Sequence, residues 1–382
     1  LNRGFAQTEY ETRLAGAQKM MAAHDLSALL LTTEAEIRYF TGFLTRFWES
    51  PSRPWYLVVP ASGKPIAVIP SIGAALMAQT WITDIRTWRA PDPLDDGVSL
   101  LAYTLNEVAG IGRIGLPSGP ESYLRVPQAD WGWIKSAVSG EFVPDHGITA
   151  RLRAVKSDAE IAKVQTACAI AGRAFARVPE IAGQGVALST VFRDFQALLL
   201  QEGADWVPYL AGAADRDGYG DVISPARDTP LAKGDVLMLD TGAVFDGYFC
   251  DFDRNFAIGL PSDIAKAAHA RLSEAVDAAA RIARPGTTAA QLFHAMDQIV
   301  TKGAGGSDEG RLGHGLGMQL TEGLSLTPVD YTQLVPGMVI TLEPGIETID
   351  GRIMVHEEDI VITQTGCRFL SPRAGPELTV IT

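Results

Sequence analysis

The chain has 382 residues, 47% of them apolar, and a formal net charge of −13 with a pI near 4.9. That is enough chain for two domains with their own cores, and the acidic balance argues against nucleic acid and anionic membranes as partners, since a polyanion needs a basic face. Cys168, Cys250 and Cys367 are far apart and form no CxxC, which argues against a disulfide framework and a cysteine zinc site.

No apolar run reaches the ~18 residues of a membrane span, and no apolar h-region follows the opening LNRGFAQTEYETR, so the cytoplasm is the expected compartment. In chain order, helical spacing of Tyr10, Leu14 and Met20–Met21 predicts a helix over 7–24. ALLLT (28–32) reads as a buried strand, WYLVVP (55–60) and PIAVIP (65–70) as a hairpin turning at Ser62–Gly63, and IGRIGLP (111–117) as a further strand. Residues 1–150 therefore read as a small α/β domain. From 151 to 382 the reading is an α+β domain: a helix capped by Ser157 or Asp158, helices at 188–202, 262–283 and 287–300, and strands at 235–243, 248–258, 337–343 and 353–363.

Two of these hairpins carry acids. The strand through Val236–Leu239 ends at Asp240, Asp246–Gly247 is a strong turn signal, and the return strand reaches Asp251. A turn centred between Phe245 and Asp246 sets Asp240 opposite Asp251. The strand through Val339–Leu342 ends at Glu343, Asp350–Gly351 is the turn, and Glu343 is then expected opposite Glu358. Like charges so placed repel, and burial raises the cost; a cation between them removes the conflict. In GRLGHGLG, glycines surround His314 and leave room for a crowded site. Four carboxylates and one imidazole balance two divalent ions, the charge arithmetic of a hydrolase in which a metal-bridging hydroxide attacks. Oxygen-rich ligation puts manganese first, with cobalt, iron or zinc as alternatives. Solvated acids at strand ends are the plainer alternative. Glu343 is the expected proton carrier. Strand alternation turns His356 toward the metals and Glu357 and Asp359 away from them. Asp253, braced by Arg254, is the expected supporting acid.

Taken together, DTGAVFDGY with Asp240, CDFDRNF with Asp251, GHGLG with His314, LEPG with Glu343 and HEEDIVIT with Glu358 resemble the pita-bread metallopeptidases: aminopeptidase P, Xaa-Pro dipeptidase and creatinase-like enzymes. The resemblance implies a creatinase-type N-terminal domain over 1–150, a pita-bread catalytic domain over 151–382, and a homodimer. The implied activity is cleavage of a small peptide or amide. The pattern departs from the family at the substrate grip, where Ile223, Thr321 and Gly310 stand in place of histidines, and His356 in place of an arginine. Those departures keep a second reading open, a non-peptide small-molecule hydrolase or lyase of creatinase or dimethylsulfoniopropionate-lyase type. Arg46, Trp48 and Arg53, in the loop FLTRFWESPSRPW, are candidates for a rebuilt substrate contact. The competing reading is a loop that packs an interface.

Overall fold

The computed structural model describes residues 3–50, 54–307 and 310–382. The chain forms two compact units, Leu1–Arg153 and Ala154–Thr382. Among the described residues no helix is long and apolar enough to cross a membrane.

The first unit is built on a six-stranded mixed sheet. Its spatial order is Asp84–Trp88, Ile66–Pro70, Tyr56–Pro60, Ala28–Leu31, Arg113–Leu116 and Glu141–Pro144. Ala28–Leu31 is buried at every position, as a central strand with apolar runs on both faces should be. Helices Val98–Ala109 and Gln128–Ala137, which sequence periodicity did not mark, supply Leu101, Leu105 and Ile134 to the core against Leu30, Val58 and Ile114. Each such fully buried side chain contributes about 1.5–3 kcal/mol.

The second unit carries the acid-bearing hairpins. Asp235–Phe245 lies between Trp206–Arg216 and Phe252–Ile258, with Thr379–Ile381 at the edge. Val339–Leu342, Glu358–Ile362 and Cys367–Phe369 form a separate sheet, and Gly345–Glu347 pairs with Ile353–Val355. Helix Asp158–Ala176 starts in a complete capping box, with Ser157 accepting from the Glu160 amide and Glu160 answering, a device worth about 1 kcal/mol. Thr288 and Gln291 do the same for Ala289–Val300. That helix and Asp263–Ile282 bury Leu272, Val276, Leu292 and Met296 in one core with Ile340, Leu342 and Ile360.

The two hairpin registers differ from expectation, for different reasons. In the first, Asp246 and Gly247 both have positive φ, 48° and 81°, the mark of a two-residue turn. Phe245 therefore closes on Tyr248, and Asp240 stands opposite Asp253 rather than Asp251. This shift is two residues, so no side chain changes face. In the second, Asp350 and Gly351 make the turn with φ of 53° and 73°, but Arg352 then answers two residues. Its amide donates to the Ile349 carbonyl at 3.0 Å, and its carbonyl accepts from the Thr348 amide at 2.8 Å. Two residues against one is a β-bulge. The register moves by a single position: Leu342 pairs with Glu358 and Gly345 with Val355, which puts Glu343 level with Glu357. A one-residue slip turns every side chain to the other face.

Candidate metal centre

His314 is fixed by its neighbours on both sides. The Thr341 amide donates to the His314 carbonyl at 2.7 Å, the Glu343 amide to the Leu312 carbonyl at 3.0 Å, and the Gly315 amide to the Leu324 carbonyl at 2.8 Å. This threading explains the glycines. A Cβ at Gly315 would lie 1.9 Å from the Glu322 carbonyl oxygen, and one at Gly313, whose φ is +134°, 2.3 Å from that of Thr341. The imidazole Nδ1 lies 3.0 Å from the Gly315 carbonyl oxygen. A carbonyl only accepts, so Nδ1 carries a hydrogen toward it and Nε2 is the ring atom turned to the acids. Nε2 points at Asp251 Oδ2, 3.4 Å away.

Asp251, His314 and Glu357 each offer a ligand atom within 4.8 Å of the others, and all three are buried. Asp240 and the half-buried Glu343 join them electrostatically. Burial, and then the charges of Asp251, Asp253 and Glu343, push the Asp240 carboxyl well up. Burial and Glu343 do the same to Asp251, against a weaker pull from Arg311. Burial, then Asp251, Glu343 and Asp240, raise Glu357. Glu343 raises all three of these carboxyls, and Asp251 raises two of them, so the four acids share one site. Tyr209 donates its phenol to Asp240 Oδ2 at 3.1 Å, while Asp240 Oδ1 and Glu357 Oε1 are buried without a hydrogen-bond partner among the described residues. Orphaned carboxylate oxygens of this kind are costly, and they fit a pair of divalent ions in donor chemistry and in charge.

Glu358 is turned elsewhere. Its Oε2 accepts from Arg254 Nη2 at 3.0 Å and from the Ser371 hydroxyl, and its Oε1 accepts from the Ala374 amide at 2.9 Å. Burial works against its charge, but the His356 hydrogen bond and the Arg254 guanidinium prevail and hold it down at about 2. The bulge thus brings Glu357, not the expected Glu358, beside Asp251 and His314. His356 follows Glu358 to the far face. It sits 2% exposed with Nδ1 3.4 Å from Asp253 and Nε2 3.4 Å from Glu358, so its expected place among the metal-facing groups is corrected as well. Arg254 does not brace Asp253 through that carboxylate; it grips the carbonyls of Asp253, Glu357 and Pro372 and the Glu358 side chain.

Of the positions expected to touch substrate, Thr321 accepts from Arg311 Nη2 at 3.1 Å, and Ile223 is 81% exposed. In the first unit, Trp48 packs on Trp55 at 5.8 Å under the Arg125 guanidinium at 5.4 Å, and Arg46 pairs with Glu49 at 3.3 Å. Arg53 lies outside the described residues. Tyr209, Arg311, Glu357 and Asp359 went unmarked as contributors. Tyr209 sits on Trp206–Arg216, a strand hidden by Pro208, Gly212 and an alanine run. Asp359 signalled nothing until the register was known.

Residues 162–364, over half of the chain, match the family model of metallopeptidase family M24. The chain belongs to that family. Residues 13–155 match the creatinase/prolidase N-terminal domain. The probable dipeptidase PepE of Mycobacterium tuberculosis is 30% identical over 372 residues, covering 94% of each chain. The Xaa-Pro dipeptidase of Pyrococcus horikoshii is 30% identical over 240 residues, 62% of this chain and 68% of that one. Among solved structures, dipeptidase PepE from Mycobacterium ulcerans superposes with a TM-score of 0.84 at 28% identity over 100% of both chains. A prolidase from Thermococcus sibiricus gives 0.86 at 23% identity over 99% of this chain and 100% of that one, a likeness of fold. This M24 chain is accordingly a peptidase-type hydrolase of pita-bread architecture preceded by a creatinase-type domain.

Proposed function

We propose that this M24 chain is a dipeptidase that works with two divalent ions held by Asp240, Asp251, His314, Glu343 and Glu357, manganese being the first expectation. The observation that carries the reading is the gathering of buried Asp251 and Glu357 on His314, with Asp240 and the half-buried Glu343 repelling them from close by. When bound, two such ions supply Lewis-acid activation of water and stabilise the charge that develops on a carbonyl oxygen. The chain's own residues do the rest. The Gly315 carbonyl fixes the His314 tautomer, and Tyr209 orients Asp240. Glu343, half-buried at the mouth of the group, is placed to take a proton from water and return it to the leaving amine. The names borne by the relatives support a short peptide, with an Xaa-Pro dipeptide as one candidate.

One observation favours a second reading. Thr321 is committed to Arg311, so a guanidinium stands where the family resemblance implies an imidazole, and the grip suits an anionic group more than a peptide carbonyl. A zwitterionic non-peptide substrate is then the competitor. Both readings are separated by assaying Mn²⁺-loaded protein on a panel of Xaa-Pro dipeptides, other dipeptides, longer peptides and zwitterionic small amides, with metal content measured in parallel. About two equivalents of metal per chain and turnover of dipeptides support the proposal. Turnover of only non-peptide substrates supports the competitor, and uptake of one ion or none removes both.

A further inference from the structure

Beyond the ligand group lie two acids with reciprocal partners. The Asp251 amide donates to Asp359 Oδ2 at 3.0 Å, and the Glu357 amide donates to Asp253 Oδ1 at 2.5 Å. Asp359 follows Glu357 by two residues, and Asp253 follows Asp251 by two. Each segment therefore presents one acid to the site and its next-but-one acid to the backbone of the opposite segment. The strands concerned, Phe252–Ile258 and Glu358–Ile362, belong to different sheets. Asp251 itself falls in the gap between strands Tyr248–Phe249 and Phe252–Ile258, where regular pairing lapses.

Both acids are 0% exposed, and both are anchored a second time. Asp253 Oδ2 accepts from Asn255 Nδ2 at 2.9 Å. Asp359 Oδ2 accepts from the Cys168 thiol at 3.2 Å, and the Asp359 amide donates to Ser371 Oγ at 3.0 Å. A backbone N–H held by a side-chain oxygen makes a directional bond, so two such bonds running in opposite directions resist both sliding and separation.

We infer that Asp253 and Asp359 are positioning residues that fix the distance between Asp251 and Glu357, and with it the spacing of the two ions. The inference rests on the proposed two-ion reading. It assigns to these acids an acceptor role toward backbone amides, distinct from ligation.

The test uses the full chain with Asp253→Ala, Asp359→Ala, Asp253→Asn and Asp359→Asn. Mn²⁺ uptake is followed by calorimetric titration, the loaded proteins by electron paramagnetic resonance, and the metal-free proteins by circular dichroism. The wild type should bind about two equivalents and show a spin-coupled Mn pair. Each alanine variant should keep the metal-free dichroism spectrum, lose the spin coupling, and bind the pair about 10–100-fold more weakly, the usual cost of losing a group that orients a ligand. The asparagine variants keep an oxygen for the amide and should retain coupling and near-normal affinity. Unchanged coupling and affinity in the alanine variants, or their loss in the asparagine variants, overturns the inference. Should the alanine variants not fold, the asparagine pair decides alone. A wild type that binds fewer than two ions defeats the underlying reading, and that outcome is recorded before any variant is compared.

Discussion

The Arg254 guanidinium holds Glu358 at 3.0 Å while Glu357, the adjacent residue, faces Asp251 and His314. Two neighbouring glutamates therefore answer different tests. Glu357→Ala should lower metal affinity and turnover by at least the ~100-fold that loss of a ligand-orienting group alone can cost, with little change in the metal-free melting curve. Glu358→Ala should leave the Arg254 charge buried without its counter-ion and destabilise the fold by roughly 3–5 kcal/mol, while the metal stoichiometry is kept. Denaturant titration and metal analysis of both variants check this; the opposite pattern would restore Glu358 as the ligand.

Stability should depend on pH in two opposed ways. Burial first, and mutual repulsion second, raise Asp240, Asp251 and Glu357. The metal-free folded chain then holds protons that the unfolded chain, with carboxylates near ~4, has released, so stability falls as pH rises from there through the raised values. Glu358 is lowered from 4.5 to about 2. Its contribution, on the order of 3 kcal/mol, is complete above its unfolded value and is lost as pH falls through the folded one. Metal-free protein should melt higher near about pH 5 than near about pH 8. Mn²⁺ should erase most of that difference and release protons as it binds. Calorimetry in buffers of different ionisation enthalpy measures the release, and a metal-free melting temperature that climbs steadily from the lower to the higher pH would contradict the account.

Tyr209 is expected to matter through Asp240. Burial, then the Asp240 charge, raise its phenol, so it stays protonated and donates. Tyr209→Phe should weaken metal uptake by about tenfold and lower kcat more than it raises KM. A change confined to KM would place the phenol against substrate instead.

Arg311 is the charge that lowers Asp251 against its burial. In Arg311→Met, Asp251 should give up its proton less readily, and the midpoint of Co²⁺ loading, read from visible absorption as a function of pH, should move upward. Thr321→Val, which removes only the 3.1 Å contact, should give a smaller shift in the same direction. An unmoved midpoint in both would show that the guanidinium does not act on the site.

The apolar runs ending in acids, the two Asp-Gly turns and the glycine cage around His314 were legible because each is a local signal. So were the second unit's main helices, whose caps at Ser157, Ser262 and Thr288 form. Strand Trp206–Arg216 was not legible, because its alanines, proline and glycine carry no period-two pattern. The pairings of Asp240 and Glu343 failed for a subtler reason. A turn motif locates a hairpin, but register depends on where the loop closes and whether a residue is left over, and neither is written in the turn dipeptide. For Asp240 the error was even-numbered and harmless to the face; for Glu343 it was odd, and it exchanged Glu357 for Glu358 and misplaced His356.

The leftover residue at Thr348–Ile349 also bears on how this protein can change. Exposed turns usually absorb insertions and deletions without consequence. This one does not, because loop length there decides which of two glutamates, eight and nine positions after Ile349, reaches the acids. Deleting Ile349 should slide the strand by one step, offering Glu358 to the site and forcing Glu357 toward Arg254. A lineage could thus lose or rewire its metal chemistry through a single codon dropped at the surface, with every ligand residue still present in its gene.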